Sequence, residues 1–387
     1  MACAFVLDER DLLRVGLLAV ALPLLAALVT VIRPVRLTAQ RQVTPDRLHP
    51  GAEGQVRLTL INTGGRTPTL DITEPAAPGL THGLRGLVSP IKRDRGTHLR
   101  YPVKAGQRGR FVIGPPQLRV HDPFDLWEEH RSLPATTEVL VVPAVVPLAG
   151  MPPSSGARSA ASGRAAVGTT GGDPDVGVRP YRPGDDIRTI HWRASARQDD
   201  LVVRLEEPVS HGGATVYLDH RAGAHRGVGA GSSLETAIVL AASISLHLLS
   251  ADHQVRLVTH RGTVLAEGHD IADEILAELA EMTPDEADAL RRPAGGRSGL
   301  FVAVVGDMTQ ADAAALAATR TRSVHAVALV LQTADWAGEP RAGMSPAASV
   351  LAAAGWRVVV VRAGQNLSTA WRQACAVGDQ RMAVSVR

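Results

Sequence analysis

From Val15 to Ile32 the chain runs 18 residues without a charge, with Pro23 inside the run. A stretch of that length and composition can cross a bilayer as a helix. A proline is tolerated better there than in a soluble helix. Residues 12–32, with Arg14 as the one charge, are therefore expected to form a transmembrane helix. A buried core helix is the competing reading. A cleavable signal peptide fits less well, because Asp8, Glu9 and Asp11 dilute Arg10 and Arg14, and no good small-x-small site comes after the apolar run. Arg33, Arg36, Arg41 and Arg47 crowd the C-terminal flank. The positive-inside bias then places the bulk of the chain on the cytoplasmic side of the cell (inner) membrane.

Composition constrains the rest of the chain. The 387 residues are 45% hydrophobic and 20% charged, so a sizeable core can be buried and wholesale disorder is excluded. The net charge is only +3, and a nucleic-acid footprint needs clustered charge. Arg93, Arg95, Arg100, Arg108 and Arg110 could form a basic patch, yet few aromatics stand near them to stack bases. A solvated face near anionic lipid fits them better, and no nucleic-acid partner is expected. Cys3 and Cys375 lie at opposite ends and build neither a disulfide framework nor a cysteine zinc site.

Residues 35–146 read as a β-sandwich-like domain. Gln55–Asn62 alternates, with Val56, Leu58 and Leu60 on one face, and ends in a turn at Asn62-Thr63-Gly64-Gly65. Short strands are expected at 97–104, 109–113, 116–121 and 137–142. Residues 147–176, rich in Pro, Gly, Ser and Ala, read as a linker. Residues 177–387 hold a charged signature and then an α/β open sheet. Its strands are Thr215–Leu218, Val255–Thr259, Leu300–Val305, Val324–Leu331 and Arg357–Val361, compact apolar runs as in buried parallel sheets. Ser232 with Glu235 is a capping-box pair. The helix after it carries Leu234, Ile238, Ala241 and Leu248 on one face. Thr283-Pro284-Asp285-Glu286 is read as another helix start, and Asn366 as the cap of the last helix.

The densest stretch is Arg179–Glu207, in which six Arg face six Asp or Glu. Such balance suits an ion-pair network rather than a phosphate site. It contains the run Tyr181-x-x-Gly184-Asp185-Asp186-x-Arg188-x-x-x-Trp192-x-x-Ser195-Ala196-Arg197, with His191 beside Trp192. This run resembles the signature of the domain of unknown function 58 family. The flank from Gly109–Gly114 to His121-Asp122-Pro123-Phe124 is also similar to members of that family.

The resemblance implies a von Willebrand factor type A-like α/β domain and a membrane anchor. It also implies genetic association with a MoxR-type AAA+ ATPase, and no established biochemical activity. Many members carry two N-terminal helices, so a first helix is expected upstream of Met1. A type A domain often binds Mg²⁺ through an Asp-x-Ser-x-Ser loop. Here that loop reads Asp219-His220-Arg221-Ala222-Gly223. Asp219 and Asp307 are the two remaining carboxylates of a degenerate site. With Arg221 where a cation should bind, no metal and no cofactor are expected.

Asp185 or Asp186, His191 and Ser195 also invite a hydrolase reading, with cell-envelope material as substrate. No Gly-x-Ser-x-Gly elbow accompanies them. The favoured account makes Trp192 a core anchor and His191 and Ser195 packing residues. The other histidines, among them His220 and His260, show no paired ligand spacing. The expectation is therefore a membrane-anchored interaction or assembly protein, not an enzyme. Tyr181, Gly184, Asp185, Asp186, Arg188, His191, Trp192, Ser195 and Arg197 are its candidate docking residues, and an ATPase is its partner.

Overall fold

The computed structural model describes residues 10–32, 35–121, 128–152, 178–180, 192, 195–196, 201–204, 211–291, 299–321, 324–339 and 343–376. The chain divides into two compact units, Met1–Ala144 with Leu276–Met282, and Val145–Ile275 with Thr283–Arg387.

The first unit opens with helix α1, Arg10–Ile32, 23 residues long with Pro23 inside it. Among the described residues its apolar stretch is Arg14–Leu25. Val15, Leu17, Leu18, Val20, Leu24, Leu25 and Leu28 are all exposed on it. Eleven strands come next: β1 Leu37–Thr44, β2 Arg47–Leu48, β3 Glu53–Asn62, β4 Leu70–Glu74, β5 Leu80–Thr81, β6 Leu84–Val88, β7 Gly96–Ala105, β8 Gly109–Ile113, β9 Gln117–His121, β10 Glu128–Ser132 and β11 Thr137–Val141. They form two four-stranded sheets, β1-β3-β7-β5 and β10-β9-β4-β6, and a three-stranded one, β2-β11-β8. The alternation in β3 works as its sequence requires: Val56, Leu58 and Leu60 are fully buried. Leu58 and Leu60 share a core with Leu70, Ile72, Leu118 and Val120 from the second sheet. Each such side chain contributes roughly 1.5–3 kcal/mol by leaving water.

Arg41 departs from the flanking role expected of it. It sits in β1 with its side chain fully buried and ion-paired to an equally buried Glu74. Tyr101 Oη donates to the same carboxylate, and Arg41 Nη1 also donates to Thr137 Oγ1 at 3.0 Å. This arginine stabilises the β core and contributes nothing to a membrane-facing charge patch.

The second unit holds the short antiparallel pair β12 Val178–Pro180 and β13 Val202–Arg204, with Val178 opposite Arg204. The signature lies between these two strands. A six-stranded sheet comes after them, built from β14 His211–Leu218, β15 His253–Thr259, β16 Val264–Gly268, β17 Gly299–Val305, β18 Val324–Leu331 and β19 Arg357–Val361. Its order is β16-β15-β14-β17-β18-β19. All neighbours are parallel except β15 and β16. The chain starts in the middle of the sheet, winds outward to β16, and returns to the other side of β14. Its direction of winding thus reverses between β14 and β17, the position at which open α/β sheets place ligand crevices.

Helix α2, Ser233–Ser250, packs on this sheet, capped by Ser232, whose Oγ accepts from Glu235 N at 3.2 Å. Among the described residues it is the helix long and apolar enough to cross a membrane. It is nonetheless mostly buried, with Ile238, Leu240, Ala241, Ile244 and Leu248 fully enclosed. Further along, the described residues include α3 Ala272–Glu281, α4 Gln310–Ala317, α5 Pro346–Ala353 and α6 Leu367–Cys375, the last capped by Asn366 as expected. Phe301 and Trp356 meet edge to face at 5.5 Å in the core beneath α4 and α5. Gly150 is also tied down, since its carbonyl oxygen accepts from Trp371 Nε1 at 3.1 Å.

The helix expected from Thr283 does not form. Asp285 instead makes an isolated parallel bridge with Arg221, donating its N–H to His220 O at 2.9 Å and accepting from Ala222 N at 2.7 Å. Its carboxylate caps only a local turn, through Ala287 N at 3.1 Å. Backbone pairing with the β14 loop outweighs the capping signal.

Candidate functional site

The carboxyl ends of β14 and β17 present Asp219 and Asp307, with the loop 219–226 between them. Asp219 continues the β14 ladder by donating its N–H to Val304 O at 3.0 Å. Its carboxylate, fully buried, is taken up at both oxygens by one guanidinium. Arg221 Nε reaches Oδ1 at 3.0 Å and Nη2 reaches Oδ2 at 2.9 Å. Arg221 Nη1 donates to Asp288 O at 2.7 Å and to Asp312 Oδ2 at 3.3 Å, and Nη2 donates to Asp307 O at 3.2 Å. A two-pronged arginine fits a carboxylate plane closely. Burial works against the charge on Arg221, but its bonds to Asp219 outweigh that and hold its pKa above the ordinary arginine value.

Asp312 comes from the first turn of α4. Its N–H donates to Thr309 Oγ1 at 3.1 Å and its carboxylate accepts from Thr309 N at 3.2 Å, a reciprocal capping box. Leu290 N adds a bond to Oδ1 at 3.3 Å. Burial pushes this carboxyl up, while the bonds from Leu290, Thr309 and Arg221 overcome it and hold it below the usual carboxylate range. Gly306 allows the loop to approach: a Cβ there would lie 2.1 Å from Ala224 O, and Asp307 N donates to that same oxygen at 2.8 Å. His225 is buried beneath, with Nε2 donating to Asp219 O at 2.8 Å. Burial lowers its pKa, so the ring stays neutral.

The loop is therefore neutralised from within. Asp219 and Asp307 both contact Arg221 and do not meet each other as a pair of carboxylates. Asp307 joins through its carbonyl, while its half-exposed carboxylate faces Arg226 at 3.9 Å. Beside it lies an open pocket of about 360 Å³, walled by Arg226, Asp307, Gln332, Glu339, Met344 and Ser345 among others.

His220, from this same loop, forms a second cluster with His260 and Asp285. Their ligand-type atoms lie within 4.8 Å of one another, and Arg261 is paired with Asp285 through both oxygens. Burial, then the neighbouring His220, pushes the His260 pKa down to about 4.

Of the signature, Tyr181, Gly184, Asp185, Asp186, Arg188, His191 and Arg197 lie outside the described residues. Trp192 is 63% exposed, which corrects its reading as a core anchor: the indole is presented, not packed. Ser195 is buried.

Residues 177–345 match the family described as protein of unknown function DUF58. The chain carries a DUF58 region. That region begins just before β12 and ends at Ser345, the cap of α5, so β19 and α6 fall beyond it. No curated protein matches the chain. Among solved structures, the CARDB domain of the PF1109 protein from Pyrococcus furiosus is 16% identical, with 28% of this chain and 89% of that one covered and a TM-score of 0.21. The alkylpurine DNA glycosylase AlkC from Pseudomonas fluorescens is 15% identical over 28% of this chain and 30% of that one, with a TM-score of 0.19. A β-glucosidase from Listeria innocua is 10% identical over 28% and 16%, with a TM-score of 0.16. Scores at that level identify neither a shared fold nor a shared activity for the DUF58 region.

Sequence reasoning missed Asp312, Arg226 and the His260 cluster. The first had a signal, since Thr309-x-x-Asp312 is a capping-box pattern. The others come from separate loops and share no local spacing.

Proposed function

We propose that this chain is a membrane-anchored interaction protein. Its partner docks on the loops at the carboxyl ends of the six-stranded sheet, and that partner is a MoxR-type AAA+ ATPase. The observation that carries the reading is the internal neutralisation of the Asp219 loop. Its acid is occupied by Arg221, so the Asp219 carboxylate is not free to act as a general base beside the open pocket. Charges of both signs rim the pocket, from Arg226, Asp307 and Glu339, as suits steered protein association. The strand order, with its reversal beside Asp219, supports a von Willebrand factor type A-like reading of the α/β unit. The N-terminal β unit is read as a β-sandwich. The row of exposed apolar side chains on α1 supports its role as the anchor, with Arg33 and Arg36 marking the cytoplasmic side. The exposure of Trp192 supports including the signature in the docking surface. The rival reading, a hydrolase of envelope material, requires Ser195 as nucleophile, and Ser195 is buried.

The test is co-purification of the full chain from membranes in detergent, beside an Arg226→Glu, Asp307→Lys double variant. An ATPase recovered with the wild type and depleted from the variant is the expected result. Repeated recovery of no ATPase sinks the partner assignment. A reporter fused to the C-terminus that reads out on the far side of the membrane sinks the topology.

A further inference from the structure

His260 is fully enclosed, and among the described residues neither of its ring nitrogens has a hydrogen-bond partner. Leaving a buried polar atom unpaired costs about 1–3 kcal/mol, and a native imidazole with two such atoms calls for an explanation. Its Nε2 faces Asp285 Oδ2 at 3.2 Å, without hydrogen-bond alignment. The ring of His220 stands edge-on to it, with 4.5 Å between centroids.

We infer that His220, His260 and Asp285 bind one divalent transition-metal ion of the zinc type, leaving a fourth position for water or for a partner's carboxylate. Two imidazoles and one carboxylate are the donor set for Zn²⁺, Co²⁺ or Ni²⁺, whereas Mg²⁺ and Ca²⁺ take oxygen. The tautomer of His220 is already set for ligation. Its Nδ1 lies 2.9 Å from Thr283 O, and a carbonyl only accepts, so Nδ1 carries the proton and Nε2 keeps its lone pair. An outer bond of that kind is the usual support of a metal-bound histidine.

The frame is rigid as well. Asp285 N is bonded to His220 O, and the backbone of Arg291 donates to His260 O at 2.8 Å. Tyr217 Oη donates to the same oxygen at 3.3 Å. The ligands thus come from three segments that the fold has already fastened together. Arg261 is a competing cation. It is the more exposed member of its pair with Asp285, so it can yield Oδ2 to the ion and keep Oδ1 as the outer-shell partner of the carboxylate. This centre takes His220 from the 219–226 loop but leaves out the Asp219 carboxylate, to which Arg221 supplies the positive charge.

The test uses the untagged full chain in detergent, stripped with chelator. It is titrated with ZnCl₂ by calorimetry and loaded with Co²⁺ for visible absorption spectra. One equivalent of Zn²⁺ is expected, with ligand-field bands of a low-coordinate Co²⁺ site. His220→Ala and His260→Ala should weaken binding by upwards of about a hundredfold, more than loss of an outer-shell partner costs. Circular dichroism melts of the metal-free variants show whether each is folded. A folded His220→Ala variant that binds Zn²⁺ like the wild type overturns the assignment. Should both variants unfold, the wild-type Co²⁺ spectrum decides alone, and absence of the bands overturns it.

Discussion

A guanidinium buried between Asp219 and Asp312 is stable only while both carboxylates remain. Replacing Arg221 with Leu would strand two buried acids, and breaking a buried ion pair from one side costs about 3–5 kcal/mol. The expected result is a lower urea midpoint of that size for the α/β unit. Glu74→Gln in the β unit should act similarly by stranding Arg41. Acid should weaken the fold through two groups. Asp312 has a depressed folded pKa, so its contribution is present above the unfolded carboxylate value and lost as pH falls through the folded one. His260 resists protonation when folded, with a pKa of about 4 against 6.5 for the free side chain. Between those values the unfolded chain binds the extra proton, so stability declines as pH drops. Urea midpoints of metal-free protein across that window should fall, and a His260→Phe variant should flatten the slope. None of these pairings could be read from sequence. Arg221 was visible as an odd residue in an Asp-x-Ser-x-Ser frame, but its partner Asp312 sits on a distant helix. His220 and His260 carry no local spacing at all.

Element by element, legibility depended on how far local pattern decided the outcome. The buried strands β14, β15, β17, β18 and β19 were legible because compact apolar runs have one good use. Strand β3 was legible because half its residues face a core. Strand β10, Glu-Glu-His-Arg-Ser, was not, since it is a polar edge strand with no alternation to read. Strand β16 is short and half-exposed for the same reason. The false helix start at Thr283 shows the reverse case, a sound local signal overridden by pairing to the loop after β14. At this scale Gly306→Ala should be costly, because its Cβ would meet backbone and not a yielding side chain. A loss of about 1–3 kcal/mol is expected, as for other overpacked sites. Thr309→Ala should remove the α4 cap for about 0.5–2 kcal/mol, and thermal melts of the two variants check both values.

The described residues hold a helix, a set of β-sheets and a mixed α/β sheet, and each of these parts has its own periodicity in the sequence. Removing residues 1–34 should release the chain from the membrane fraction on cell fractionation if α1 is its anchor. Retention of the truncated chain in membranes would count against that role. The sheet of the α/β unit has a further consequence. Strands β14, β15 and β16 are consecutive in sequence, and so are β17, β18 and β19; the two triplets touch along a single ladder, β14 with β17. Asp219 and Arg221 belong to the first triplet, and Asp307 and Asp312 to the second. The buried ion cluster therefore acts as a clasp across the strand seam between two halves that are each contiguous in sequence. Were the chain cut between Arg291 and Gly299, the halves should find each other again through that clasp, and charge reversal at Arg221 should leave them as strangers.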